Sequence, residues 1–330
     1  MMRFFKWVLL FLAALAAAVA LLSIRPAPER IIYGMSFTKL HADELKLDWK
    51  VVYKAILDDM GVRKLRLAAH WPMTEPQRDR YDFAAMDYQI REASKRDAEV
   101  VLAVGRRLPR WPECHIPSWV GNMSWEEQKM ELRQYITAVV ERYKGEKAIT
   151  HWQVENEPYL SLFATEICGE LDEDFLKEEV ALVRSLDSSR PILVTDSGNL
   201  GTWFRPYRLG DVFGTSVYVH FWTPELGQFR TVQPPALYRA KTNLMRLLFG
   251  KKEVFLIELS GEPWLVEPVR DVPIETQLSR MDIDKFNDIV EYAEKTHYEE
   301  QYLWGAEWWY YMKLHGHQEF WERAKELFDE

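Results

Sequence analysis

Residues 151–160, HWQVENEPYL, run a β-branched and aromatic stretch directly into Asn156-Glu157-Pro158. Proline has no N–H to give to a ladder and halts the strand, which leaves an amide and a carboxyl group side by side at a strand's C-terminal edge. In barrel enzymes that edge is where reactive groups collect.

On both sides of this stretch the chain alternates between two kinds of element. Upstream, strands are predicted over residues 31–37, 64–69 and 99–105, with helices over 43–60 (closed by Gly61), 83–95, and from the capping-box sequence Ser124-Trp125-Glu126-Glu127 to about 143. The fourth strand covers 150–155. Downstream, strands are expected over 191–195, 212–219, 254–259 and 302–311, with helices over 174–186, 234–249, 282–296 and 319–328 and an irregular segment at 203–208. Continuous apolar strands between helices describe a parallel sheet covered on both faces. Eight such units in about 300 residues fit one closed (β/α)8 TIM barrel. The first strand lacks a G-x-G-x-x-G turn, which argues against a dinucleotide fold.

The N-terminus is expected to be separate from this barrel. Residues 1–6 carry two basic side chains, and residues 7–24 form an unbroken apolar and small-residue run before Arg25-Pro26-Ala27-Pro28. That length suits a signal or anchor helix, and either would export the rest of the chain. Ala18-Val19-Ala20 offers a cleavage site, but the apolar run continues through Leu21 and Leu22 and favours an uncleaved membrane anchor with the N-terminus cytoplasmic. Residues 1–29 are therefore assigned to the signal or anchor and a short linker, and 30–330 to a catalytic domain. The net charge of −9 argues against a nucleic-acid partner, which would select a basic face. The 14 Trp, 15 Tyr and 16 Phe suit stacking on sugar rings, although most such residues are expected in the core. Cys114 and Cys168 both fall in loops of one barrel face, where a disulfide is possible outside the cytoplasm; spacing leaves two free thiols open as well.

Collecting the last residues of the strands assembles a candidate site from Arg66, His70, Trp71, Arg106, Arg107, Asn156, Glu157, Asp196, Tyr218, His220, Glu258, Trp308 and Trp309. Glu157 and Glu258 are isolated carboxylates at apolar strand ends, costly unless paired or used. Strands four and seven are expected to face each other across the barrel. Paired carboxyl groups across a cleft are the machinery of glycoside hydrolysis.

Asn156-Glu157-Pro158 on the fourth strand, Glu258 on the seventh, Arg66 on the second and tryptophan on the eighth resemble clan A of the glycoside hydrolases, the retaining (β/α)8 group that includes cellulases and β-mannanases. The resemblance covers about residues 30–330 and implies a polysaccharide-degrading hydrolase that cleaves β-linked oligo- or polysaccharide by double displacement. It implies Glu157 as acid/base, Glu258 as nucleophile, Asn156 on the sugar 2-hydroxyl, Arg66 holding Glu258 ionised and Tyr218 donating to it. It also implies a tryptophan floor at the end of the eighth strand, assigned to Trp309, with Glu307 on the same face. Two alternatives stand beside it: a carbohydrate-binding barrel without catalysis, and a transglycosylase that uses the same residues.

Glu262 follows Gly261 and is read as a subsite ligand or a loop anchor, with Glu258, at the strand end, preferred as nucleophile. The loop Arg106-Arg107-Leu108-Pro109-Arg110-Trp111-Pro112-Glu113 is placed along the cleft, its arginines free for substrate or paired with acids. Trp111, Trp119, Trp222 and Trp264 are candidate sugar platforms. His315-Gly316-His317 lacks a third ligand and is read as a solvated loop. No cofactor is required, and the absence of G-x-S-x-G argues against a serine hydrolase.

Overall fold

The computed structural model describes residues 4–7, 17–111, 113–161 and 165–329. Ten strands are present among them: β1 (Ile32–Ser36), β2 (Lys64–Ala68), β3 (Glu99–Val104), β4 (Ile149–Val154), β5 (Ile192–Asp196), β6 (Val212–Val217), β7 (His220–Thr223), β8 (Gly227–Arg230), β9 (Val254–Ser260) and β10 (Glu300–Trp304). Eight of them close a parallel barrel in the order β1-β10-β9-β6-β5-β4-β3-β2, and β7 and β8 form an antiparallel hairpin outside it. The fourth and seventh barrel strands, β4 and β9, are three places apart in this ring, with β5 and β6 between them, so they are not diametrically opposed.

The barrel interior is filled by Val101, Leu193, Val212, Phe255, Ile257 and Tyr302, while a larger apolar cluster lies between the strands and the helices. Alternation divides each strand between the two. On β4, Trp152 points outward and its Nε1 donates to Asp187 (2.9 Å), whereas Gln153 points inward to Arg66. Gly34 on β1 sits opposite Tyr302, where a Cβ would lie 2.5 Å from the ring, so only glycine admits that aromatic to the interior.

Several local expectations change. The helix predicted over 43–60 is two, Lys39–Glu44 and Trp49–Asp58, because Lys46 turns the chain through φ 57° and Asp48 caps the second by accepting from the N–H groups of Lys50 and Val51. The segment at 203–208 is the helix Phe204–Leu209, and a further helix spans Ile274–Arg280. The eighth barrel strand stops at Trp304. Gly305 takes φ 126° against the backbone of Gly261, and Ala306–Leu314 is helical.

No helix among the described residues is long and apolar enough to cross a membrane. Half of the anchor expected over 7–24, residues 8–16, lies outside the described residues. Residues 22–25, assigned by sequence to the separate N-terminal segment, are bonded to the barrel: Asn243 donates to the carbonyls of Leu22 and Ile24, Arg239 to that of Ser23, and His297 to that of Arg25. His297 precedes β10, so this contact is on the face opposite the strand C-termini.

Candidate active site

The end of β4 is held in a conformation that few side chains adopt. Glu155 and Glu157 both take positive φ (57° and 44°), at about 1–3 kcal/mol each, so surrounding bonds must enforce it. The Glu155 carboxylate accepts from the N–H groups of Arg106 (2.8 Å) and Arg107 (2.6 Å), Asn156 N–H donates to Arg107 O (2.7 Å), and Glu157 N–H donates to Thr195 Oγ1 (2.8 Å). Gly105, at φ 129°, is required here, since a Cβ would sit 2.3 Å from Glu155 Oε1. Glu179 hydrogen-bonds Glu155 from the helix Glu173–Leu186; burial, then the Glu155 charge, push its carboxyl well above the usual range, so Glu179 carries the proton of the pair.

Glu258 enters the mouth because β9 is irregular. Phe255 and Ile257 both face the barrel interior, so strict alternation would turn Glu258 outward. Pairing with β6 runs Thr215 to Leu256 and then Ser216 to Glu258, and pairing with β10 slips at the same place; one extra residue in β9 turns Glu258 inward.

Arg66 on β2 is the hub. Its buried guanidinium donates to Glu258 Oε2 (2.9 Å), Gln153 Oε1 (2.9 Å), Asn156 Oδ1 (2.6 Å) and Ile257 O (3.3 Å), tying β2, β4 and β9 together across the barrel. The Tyr218 hydroxyl donates to the other Glu258 oxygen. Arg66 occupies the Asn156 carbonyl oxygen, and the Asn156 Nδ2 has no partner among the described residues.

The two carboxylates therefore differ in surroundings. Glu258 has an arginine and a phenol on its two oxygens. Glu157 is 4% exposed; burial first, then the charges of Glu258 and Glu113, raise its pKa well above the usual carboxylate range, against a hydrogen bond from Ser216. Its Oε1 is buried without a partner among the described residues. Asp196 at the end of β5 is pushed by burial up to about 6, against bonds from the N–H groups of Trp203 and Ser197, and braces its own loop.

The structure brings Arg66, Asn156, Glu157, Tyr218 and Glu258 into one mouth, with Trp264 edge-on to Tyr218 at 5.4 Å. The other sequence candidates lie elsewhere. Trp309 is fully buried on the helix Ala306–Leu314, with Nε1 donating to Gly261 O, and Trp308 is buried beside it. Glu307 accepts from Thr38 N–H. The tryptophan beside the carboxylates is Trp304, 6.2 Å from Tyr218, and the Trp-Gly step at 304–305 was the available signal, because glycine ends the strand there.

Trp71 is buried and donates to Glu75; His70, driven down to about 3 by burial and then by His115, supports Pro109 O. Glu262 is a loop anchor, 4% exposed and ion-paired with His41 and Arg110. His220 pairs with Asp288 at the base of the hairpin (2.9 Å). Arg107 holds Glu113 and Leu160 O.

Trp119 packs on Trp71, Trp222 lies under Arg280, and Trp111 is exposed. Cys114 and Cys168 form a disulfide that joins the loops following β3 and β4. No group of side chains among the described residues could hold a metal ion.

A closed parallel barrel with this mouth belongs to a definite class, and sequence comparison identifies it as clan A of the glycoside hydrolases. Within that clan the chain belongs to the β-galactosidase family, glycoside hydrolase 42, whose family model matches residues 122–319. The model of glycosyl hydrolase family 10 matches residues 48–164 as well.

Beta-galactosidase BgaA of Clostridium cellulovorans is 28% identical over 166 residues, 45% of this chain and 25% of that protein. The chain thus spans about a quarter of the length of that relative. Among solved structures, GH5_18 from Bifidobacterium longum aligns with TM-score 0.59 at 15% identity over 84% of this chain and 70% of the other. Xylanase 10B from Thermotoga maritima aligns with TM-score 0.53 at 16% identity over 83% of each chain. These structural likenesses concern the fold.

Proposed function

We propose that this protein is a retaining β-glycosidase, with Glu258 as nucleophile, Glu157 as acid/base and β-galactosides as the first substrates to examine. The observation that carries the reading is the unequal surroundings of the two carboxylates. Glu258, gripped by Arg66 and Tyr218, is oriented to attack the anomeric carbon. Glu157, buried near two other carboxylates, keeps its proton at neutral pH and delivers it to the departing oxygen. It then removes a proton from the water that releases the glycosyl group from Glu258. Asn156, its oxygen bound to Arg66, presents its amide N–H to the sugar 2-hydroxyl, a bond that can strengthen as positive charge develops at the anomeric carbon. Trp304 and Trp264 supply aromatic surface beside Tyr218 for the ring.

The proposal extends to location: export and tethering through residues 7–24. The Cys114–Cys168 disulfide supports an oxidising compartment. A tether that joins the barrel on the face opposite the strand C-termini would point the mouth away from the membrane. Fractionation of cells that produce the full chain tests this part, and recovery in the cytosol would refute it.

The test of the chemistry is hydrolysis of 4-nitrophenyl β-galactoside, β-glucoside, β-mannoside and β-xyloside by wild type and Glu258→Ala. Turnover of at least one glycoside that is lost in the variant, with the first product keeping the β-configuration by NMR, is the expected result. Inversion, or activity that survives in Glu258→Ala, would overturn the assignment. Added acceptor sugar will reveal any transfer product, the outcome that favours a transglycosylase.

A further inference from the structure

A third carboxylate reaches the mouth from the loop after β3. Glu113 takes φ 66°, a costly backbone for a side-chain-bearing residue, and its neighbours enforce it. Leu108 N–H donates to Glu113 O and Glu113 N–H to Arg110 O, both at 2.8 Å, and the next residue, Cys114, is fastened to Cys168. The loop is thus a braced hairpin with Glu113 at its returning arm.

One carboxylate oxygen is fixed: Oε2 accepts from Arg107 Nε at 2.9 Å. Arg107 is itself held, donating to Leu160 O, while its carbonyl takes the N–H of Asn156. Oε1 has no partner among the described residues, and the side chain keeps 21% exposure. Burial pushes its carboxyl above the usual range, the Arg107 charge opposes this and the Glu258 charge adds to it; in turn the Glu113 charge raises Glu157 and Tyr218. An acceptor fixed through Arg107 to the backbone of Asn156 is placed as a sugar ligand would be, and a carboxylate held by an arginine can accept hydroxyl hydrogen bonds but repels another anion.

We propose that Glu113 is a specificity-determining residue. Its free oxygen accepts a hydroxyl of the sugar held between Glu157 and Glu258, and its charge turns away sugars that carry a carboxylate. The inference rests on the function proposed above and names the substrate class of the same site: neutral β-glycosides over β-glycosiduronates.

The test uses the full chain and a matched pair, the neutral 4-nitrophenyl β-glycoside turned over fastest and the uronide of the same configuration. In Glu113→Gln the ratio of kcat/KM for uronide over neutral glycoside is expected to rise by about tenfold or more, with a raised KM for the neutral sugar. The alkaline limb of the pH profile moves to lower pH, since one charge that raises Glu157 is gone. Glu113→Asp keeps the discrimination.

The paired Arg107→Gln/Glu113→Gln variant leaves no uncompensated guanidinium and carries the comparison if the single variant does not fold. A ratio unmoved in a folded Gln variant overturns the inference while leaving the proposed function intact. A wild type without glycosidase activity, or one insensitive to Glu258→Ala, overturns the function itself.

Discussion

Replacing Glu262 with glutamine should destabilise the fold and leave the chemistry in place. Glu262 is buried between Arg110 on the β3 loop and His41 on the helix Lys39–Glu44, so it joins loops from three sides of the mouth. Burial alone would raise its pKa, but the charges of Arg110 and His41 and their hydrogen bonds outweigh burial and hold it at about 2, against an ordinary 4.5. That depression corresponds to about 3 kcal/mol of stability at neutral pH, within the range found for breaking buried ion pairs. His41 limits the loss. Burial and Arg110 lower its pKa, while Glu262 and Glu44 raise it further, so in the variant it sheds its proton and the charge that would otherwise be stranded.

The sign follows from the depressed carboxyl. The Glu262 contribution is complete above the unfolded value near 4.5 and is lost as pH falls towards 2. Glu262→Gln should therefore lose about 3 kcal/mol in denaturant unfolding at pH 7, or about 5 °C in Tm for a chain of this size. The difference from wild type should shrink at pH 3. A loss below about 1 kcal/mol at pH 7, or a gap that does not close in acid, would refute the argument. A raised KM without lost stability would restore Glu262 as a substrate ligand.

Three further outcomes are expected. Tyr218→Phe removes the phenol from Glu258 and should lower kcat about 10- to 100-fold with KM nearly unchanged, because hydrogen bonds to charged groups are worth about 1.5–3 kcal/mol; a change under threefold, roughly 0.6 kcal/mol, would count against the role. Glu157→Ala should lose about 10²–10⁴-fold on phenyl glycosides but little on dinitrophenyl ones, and azide should restore the latter with a β-glycosyl azide product. In wild type, activity should fall as pH rises through the elevated Glu157 pKa; loss on the acid side alone would mean that Glu157 is not the acid. Replacing Cys114 and Cys168 with serine opens a 54-residue separation and should cost about 4 kcal/mol by chain entropy; unchanged unfolding with reductant would contradict that.

The elements best read from sequence were those with local causes. The Ser124 capping box starts the helix Trp125–Tyr143 with both reciprocal bonds formed, and the continuous apolar strands close the barrel. Errors arose where one residue changed the local rule. In YLWGAEWWYY, aromatic content favours a strand throughout, yet Gly305 turns the chain and delivers Trp308 and Trp309 to the core, leaving Trp304 at the mouth. Glu113 was legible only as the end of a loop placed along the cleft and Ser216 not at all, because their relation to Glu157 runs through space.

Sequence by itself determined the alternation that makes the barrel and the two strand ends that bear Glu157 and Glu258, because hydrophobic period and proline are local properties. The tertiary structure decided how those carboxylates are set against each other. The extra residue in β9 that turns Glu258 inward, the reach of Arg66 across three strands and the burial that raises the Glu157 pKa all depend on neighbours distant in the chain. Electrostatic environment is set by what surrounds a group in space.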